Sequence, residues 1–245
     1  MMKDFTLQII GHRGASFNAP ENTLSAIQLA WNLGIKKAEI DVHLSKDYQI
    51  VVIHDENTKR LTGKDALVKD QTLAELQDLS VCLKTGVDKI PTLKEVLETI
   101  PIESTLIIEI KCGKEIIPIL EREVANYSFD ALVFISFDYE VISEVKKSFP
   151  NNKSLWLLDL DYTKETEKEY VGIESILKKT KQANLDGINV WAGKIADKNF
   201  VEAVKTANLL LYIWSTNSVE LTKHFLKLGA DAVTTDRPKW ILDQL

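Results

Sequence analysis

Residues 38–55 read AEIDVHLSKDYQIVVIHD, and the rest of the chain is organised around them. Two runs of strong strand character flank Leu44-Ser45-Lys46-Asp47-Tyr48-Gln49, whose composition is that of a hairpin turn. If Asp47-Tyr48 is a two-residue turn, Asp41 stands opposite His54, and Glu39 shares that face because side chains alternate with period two. Such turns favour residues with positive φ, and Tyr48 stands where glycine is usual. A three-residue bulged turn would shift the pairing by one and send His54 to the opposite face.

Working outward, His12-Arg13 follows an apolar run, as His54-Asp55 does. Two histidines, two carboxylates on one face and an arginine are the groups needed to hydrolyse a phosphate ester around a hard metal ion. After Asn57 short β-rich runs alternate with helical patterns, the rhythm of a parallel α/β protein. Predicted strands fall at Leu7 to Gly11, Lys37 to Val42, Thr105 to Ile110, Ala131 to Phe137, Ser154 to Leu158, Gly187 to Val190, Leu210 to Trp214 and Ala232 to Thr235. Helical patterns fill the gaps, from Thr23 to Leu33 through to a last one after Pro238. Eight strands close a (β/α)8 barrel, so the expectation is one domain over residues 1–245. The segment from Asp55 to Ile90, with a predicted helix at Leu73 to Leu79, is too long for a βα loop and is expected to be an excursion over one barrel mouth.

In such barrels chemistry collects where strands end. His12 and Arg13 follow the first predicted strand, Glu39 and Asp41 end the second, Glu109 and Lys111 the third, Trp214 the seventh, and Asp236 follows the eighth.

The chain has 245 residues, 45% of them hydrophobic, enough for a full core. A formal charge of -6 argues against a nucleic-acid surface, which needs clustered Lys and Arg. Cys82 and Cys112 have neither metal-type spacing nor the density of a disulfide scaffold. The stretch from Met1 to Ile10 lacks a basic segment followed by a long apolar one, and no later apolar run approaches the roughly 18 residues of a membrane span. The expectation is a cytoplasmic protein without a membrane anchor.

The ordered motifs GHRGAS (Gly11 to Ser16), PENT (Pro20 to Thr23), AEIDVHLSKD, VVIHD, TLAEL, IPTLKEVL, IEIK (Ile108 to Lys111), WSTN and TTDRP resemble the glycerophosphodiester phosphodiesterases over nearly the full length. The resemblance implies a TIM barrel with a small insertion, divalent-metal dependence, and cleavage of a small-molecule glycerophosphodiester to glycerol 3-phosphate and an alcohol. It also implies His12 and His54 as acid and base, Glu39, Asp41 and Glu109 as metal ligands, Arg13 as a phosphate contact and Lys111 as a second one. Three departures from the family pattern are Gly11 for a common Ala, Tyr48 for the turn Gly, and a segment after Arg60 without the usual Gly-rich pattern.

Acids facing a barrel interior are rare unless a cation binds them, and an oxygen-only set suits one Mg²⁺ or Ca²⁺ rather than zinc. Arginine is scarce here, and its planar fork grips phosphate in two places. His43 shares the face of Glu39 and Asp41 and either joins the site or fills the mouth, while His224 is expected on the outer surface. Trp191 and Trp214 are either core aromatics or mouth walls able to stack on a choline-type cation. No Ser, Thr or Cys has the setting of an activated nucleophile, so the attacker comes from the substrate or from water. The alternatives are a lysophospholipase D-type hydrolase, marked by an apolar groove near the insertion, and a non-catalytic phosphodiester-binding barrel, which would need a damaged set. A metal-dependent amidohydrolase is disfavoured by the missing His-x-His pair.

Overall fold

The computed structural model describes residues 5–161 and 172–245. The strands in chain order are β1 (Ile9–Gly11), β2 (Lys37–Leu44), β3 (Ile50–Val52), β4 (Val81–Leu83), β5 (Gly86–Asp88), β6 (Thr105–Ile110), β7 (Leu132–Ser136), β8 (Lys153–Leu158), β9 (Gly187–Trp191), β10 (Leu210–Trp214) and β11 (Ala232–Thr235). Eight of them run parallel in the ring β1-β2-β6-β7-β8-β9-β10-β11, and β11 returns to pair with β1. The expected (β/α)8 barrel is the fold.

Strand alternation sorts the side chains. On β2 the residues Ala38, Ile40, Val42 and Leu44 pack outward under the helices, and on β6 Leu106, Ile108 and Ile110 do the same. The intervening Glu39, Asp41 and Glu109 therefore point into the barrel, where the apolar floor is Ile107, Ile135, Leu155, Leu157 and Tyr212. Each fully buried Ile or Leu of the outer layer contributes roughly 2 kcal/mol from removal of its surface from water.

Two of the family-like segments are helix starts. Thr72 with Glu75 and Thr92 with Glu95 form reciprocal capping boxes at the helices Leu73–Gln77 and Leu93–Leu97. The first is shorter than the run predicted for it, Leu73 to Leu79.

The hairpin takes the shifted register. Val42 pairs with Val52, His43 with Val51 and Leu44 with Ile50, so Asp41 faces Ile53 and not His54. The cause is Tyr48, which adopts a left-handed φ of 57° and completes a three-residue turn closed by the Ser45 N–H on the Gln49 carbonyl, 2.9 Å. His54 still reaches the mouth, because regular pairing ends at Val52 and the chain bends away. The loss of strand geometry cancels the loss of register.

The excursion carries its own core on β3. Val51 and Ile53 pack with Leu61, Val68, Leu76, Val81 and Ile90, all buried. It includes a short antiparallel pair, β4 with β5, which the sequence pattern did not reveal. Among the described residues no helix is long and apolar enough to cross a membrane.

Candidate active site

The turn after β1 is built by its backbone. Arg13 (φ 53°) and Gly14 (φ 84°) are both left-handed, and a Cβ on Gly14 would lie 2.5 Å from the carbonyl carbon of Ala26. Only glycine lets the turn press against the helix Leu24–Asn32. The turn aims the Arg13 N–H at Glu39 Oε2, 2.9 Å away. The PENT stretch does two jobs. Thr23 caps that helix by accepting from the Ala26 N–H, and Asn22, also left-handed, donates to Asp41 Oδ2 at 2.8 Å while its Oδ1 accepts from the Asp41 N–H.

Glu39, Asp41 and Glu109 offer oxygens within 4.8 Å of one another, all buried. At that spacing two full charges repel by about 3 kcal/mol at an effective dielectric constant near 20. Burial, then the neighbouring carboxylates, push Glu39 well above its ordinary range. Burial and Asp41 raise Glu109 to about 7. Burial also pulls Asp41 upward, but Arg13, Lys111 and His54 outweigh it and hold that carboxyl below its usual value. Lys111 donates to Glu109 Oε1 at 2.7 Å and lies 3.7 Å from Asp41 Oδ1. Glu39 Oε1 is buried without a hydrogen-bond partner. An oxygen-only triad with an orphaned oxygen and two carboxyls driven toward protonation fits a hard divalent cation.

Each of the two histidines has a carboxylate at Nδ1. His12 lies 2.6 Å from Asp236 Oδ1, and His54 lies 2.6 Å from Asp55 Oδ1. This places both Nε2 atoms toward one cavity of about 220 Å³, which Arg13, Glu39, Glu109 and Lys111 also line. Burial lowers the His54 pKa, and Lys111 Nζ approaches its Nε2 at 3.2 Å, so that nitrogen accepts and Nδ1 donates to Asp55. Asp236 is steadied by Asn217 Nδ2 at 2.6 Å.

Arg60, from the excursion, ties the two halves together. Its Nε donates to Asp55 Oδ2 at 2.5 Å, and its Nη1 and Nη2 grip Glu21 at 3.0 and 2.8 Å. Glu21 also accepts from Arg13 Nη1 at 2.6 Å. Burial pulls Asp55 upward, but Arg60 and His54 hold it down at about 2, so it stays ionised throughout the working range.

The structure thus brings His12, Arg13, Glu39, Asp41, His54, Glu109 and Lys111 to one mouth, with Trp214 on the cavity wall. Arg13 is turned toward carboxylates, with Glu21 on Nη1 and Asp41 3.4 Å from Nε in an ion pair without hydrogen-bond geometry. His43 does not line the cavity; its Nε2 donates to the His54 carbonyl at 3.1 Å, so it acts on the bend. Trp191 is half-exposed at the rim, edge-on to Trp214 at 4.9 Å. His224 is exposed on the helix Val219–Leu228, as expected. Sequence reasoning gave no role to Glu21, Asn22, Asp55 or Arg60, and it placed Asp236 at a strand end without its partner His12. Adjacency to His54 was a usable signal for Asp55, and position after the last strand, beside the first in a closed ring, was one for Asp236.

The raised carboxyls make stability depend on pH. A folded pKa above the unfolded one means that the contribution of Glu109 is complete below about 4.5 and is lost as pH rises through about 7, and the raised Glu39 acts in the same direction. Millimolar Mg²⁺ or Ca²⁺ should therefore raise the melting temperature by several degrees at pH 8 and by little at pH 5, as read by differential scanning fluorimetry. Equal shifts at both pH values would remove these carboxyls from cation binding.

Residues 12–240 match the sequence profile of the Glycerophosphoryl diester phosphodiesterase family. A glycerophosphodiester phosphodiesterase of Caldanaerobacter subterraneus subsp. tengcongensis is 33% identical over 96% of both chains. A lysophospholipase D of Homo sapiens is 30% identical over 98% of this chain and 87% of its own. Among solved structures, an Oleispira antarctica phosphodiesterase in complex with the product sn-glycerol 3-phosphate superposes with a TM-score of 0.86 at 29% identity, covering 97% of this chain and 96% of that one. A glycerophosphodiester phosphodiesterase of Thermotoga maritima gives 0.80 at 30% identity over 98% of both.

Proposed function

The chain belongs to the glycerophosphoryl diester phosphodiesterase family of hydrolases, and on that premise we propose that it converts glycerophosphodiesters to glycerol 3-phosphate and an alcohol by metal-assisted, two-histidine chemistry. The observation that carries this reading is the pair of carboxylate-backed imidazoles facing one cavity beside the buried acidic triad. Glu39, Asp41 and Glu109 would hold one Mg²⁺ or Ca²⁺, which supplies charge stabilisation to the phosphoryl oxygens.

Arg13 and Lys111 neutralise the phosphate. Lys111, now on His54 Nε2, has to swing onto a phosphate oxygen as substrate enters, which frees that nitrogen as a base. His54, kept neutral by burial, takes the proton of the glycerol 2-hydroxyl, whose oxygen attacks phosphorus. An attached hydroxyl reacts at an effective molarity that water does not reach. His12, as an imidazolium supported by Asp236, protonates the leaving alcohol oxygen. The product is a cyclic phosphate, which water opens with the histidines in reversed roles.

The test is turnover of glycerophosphocholine and its 2-deoxy analogue, with the choline released from either one read by coupled oxidation. The parent should release choline, and the analogue should bind but turn over far more slowly. Release of phosphocholine would place the cleavage on the wrong side of phosphorus. An analogue cleaved as fast as the parent would replace the cyclic step by direct attack of water.

A further inference from the structure

The wall of the cavity opposite the acids contains two polar atoms that the chemistry above leaves unused. Asn189 on β9 is only 3% exposed, yet its Oδ1 has no hydrogen-bond partner. The indole Nε1 of Trp214 on β10 is likewise buried and unpartnered. Asn189 pairs in register with Tyr212, and Trp214 follows Tyr212 by two residues, so both side chains point from adjacent strands into the barrel. Both residues line the cavity. In the ring β1-β2-β6-β7-β8-β9-β10-β11, β9 stands directly across from β2, which carries Glu39 and Asp41, and β10 directly across from β6, which carries Glu109.

A buried acceptor and a buried donor left unpaired on one wall are costly, and a ligand that satisfies both recovers that cost. An alcohol hydroxyl does so with one oxygen, because it donates one hydrogen bond and accepts another. A quaternary ammonium has no group for either atom. The leaving alcohol varies among glycerophosphodiesters while the glycerol does not, so a fixed pair deep in the wall suits the invariant part. The half-exposed Trp191 and Phe137 at the rim are left for the variable one.

Resting on the reading of the preceding subsection, we infer that Asn189 and Trp214 form a subsite for the free terminal hydroxyl of the glycerol moiety. The subsite makes the preferred substrates deacylated. A lysophospholipid acylated at that position presents an ester where the pair needs a hydroxyl, and an ester cannot donate to Asn189 Oδ1. Its chain would also have to pass through a buried wall. The selectivity is of the strong kind, since a site built to bond a hydroxyl rejects an analogue lacking it far better than an apolar pocket rejects an extra methylene.

Binding of sn-glycerol 3-phosphate and of the analogue lacking the terminal hydroxyl is measured by calorimetry with the Mg²⁺-loaded wild type, Asn189→Leu and Trp214→Phe. Wild type should prefer the parent by roughly 10⁴-fold, and each variant should lose most of that preference by weakening for the parent alone. Discrimination that survives in both variants, as it would if the wall held only an ordered water, overturns the assignment. So does wild-type kcat/KM for 1-acyl-lysophosphatidylcholine equal to that for glycerophosphocholine. A shift in choline-versus-ethanolamine preference in the variants, with glycerol discrimination intact, hands the pair to the leaving group and also overturns it. If no diester is hydrolysed, the catalytic reading fails, and the calorimetry still decides the subsite.

Discussion

Stripped of divalent metal by a chelator, the protein should lose turnover of glycerophosphocholine by about a thousandfold or more, and added Mg²⁺ or Ca²⁺ should restore it. Several kcal/mol of charge stabilisation at the phosphoryl oxygens correspond to a factor of that order. The expectation rests on the acidic triad, where three carboxyls share a space in which Arg13 and Lys111 supply only two cations. Glu39→Ala should abolish metal binding in a calorimetric titration as well as activity, because Glu39 Oε1 has no other partner. Asp41→Asn should do the same while the fold persists, since Asn22 can still bond the residue at that position. Full turnover with metal verifiably absent would end the metal assignment.

His12→Ala and His54→Ala should each lower kcat by about 10² to 10⁴, with little change in the thermal melt. The two differ in their signature on pH. Burial places the His54 pKa below its ordinary value, so wild-type activity should rise with pH through a point below about 6.5 and hold through neutrality. His54→Ala should flatten that rising limb. His12→Ala should keep that rising limb at its lowered rate, because it removes the acid and leaves the base in place. A variant at either position with kcat near wild type removes that histidine from the mechanism.

The barrel was legible because its signals are local. Alternation on Lys37–Leu44 exposes an acid face and an apolar face, and the same holds for Thr105–Ile110. The hairpin register was left open between two turns, and the outcome hinged on the backbone of Tyr48, which no periodicity reports. The excursion's β4 and β5 escaped notice because three residues each are too few to display a period, although Val81 and Leu83 face the small core on either side of the exposed Cys82. Residue types at strand ends gave the acids, the histidines, Arg13, Lys111 and Trp214. Their partners were harder, since His12 and Asp236 are 224 positions apart and meet only because the ring closes. Asn189 gave no signal, as a lone asparagine in an apolar strand reads like any satisfied core amide.

Arg60 gives the excursion a stake in catalysis that its distance from the reacting atoms would not suggest. One guanidinium holds the carboxylate behind His54 and the carboxylate beside Arg13, and it is anchored by a helical turn, Lys59–Thr62, whose Leu61 is buried in the small core on β3. Small cores packed beside a larger one are commonly cooperative units of lower stability. When such a core opens here, His54 and Arg13 lose their shared brace in the same event, while the ring of strands and its acids stay in place. Heat inactivation is therefore governed by whichever unit melts first, and exchanging the excursion for a relative's keeps activity only if an arginine returns to that point.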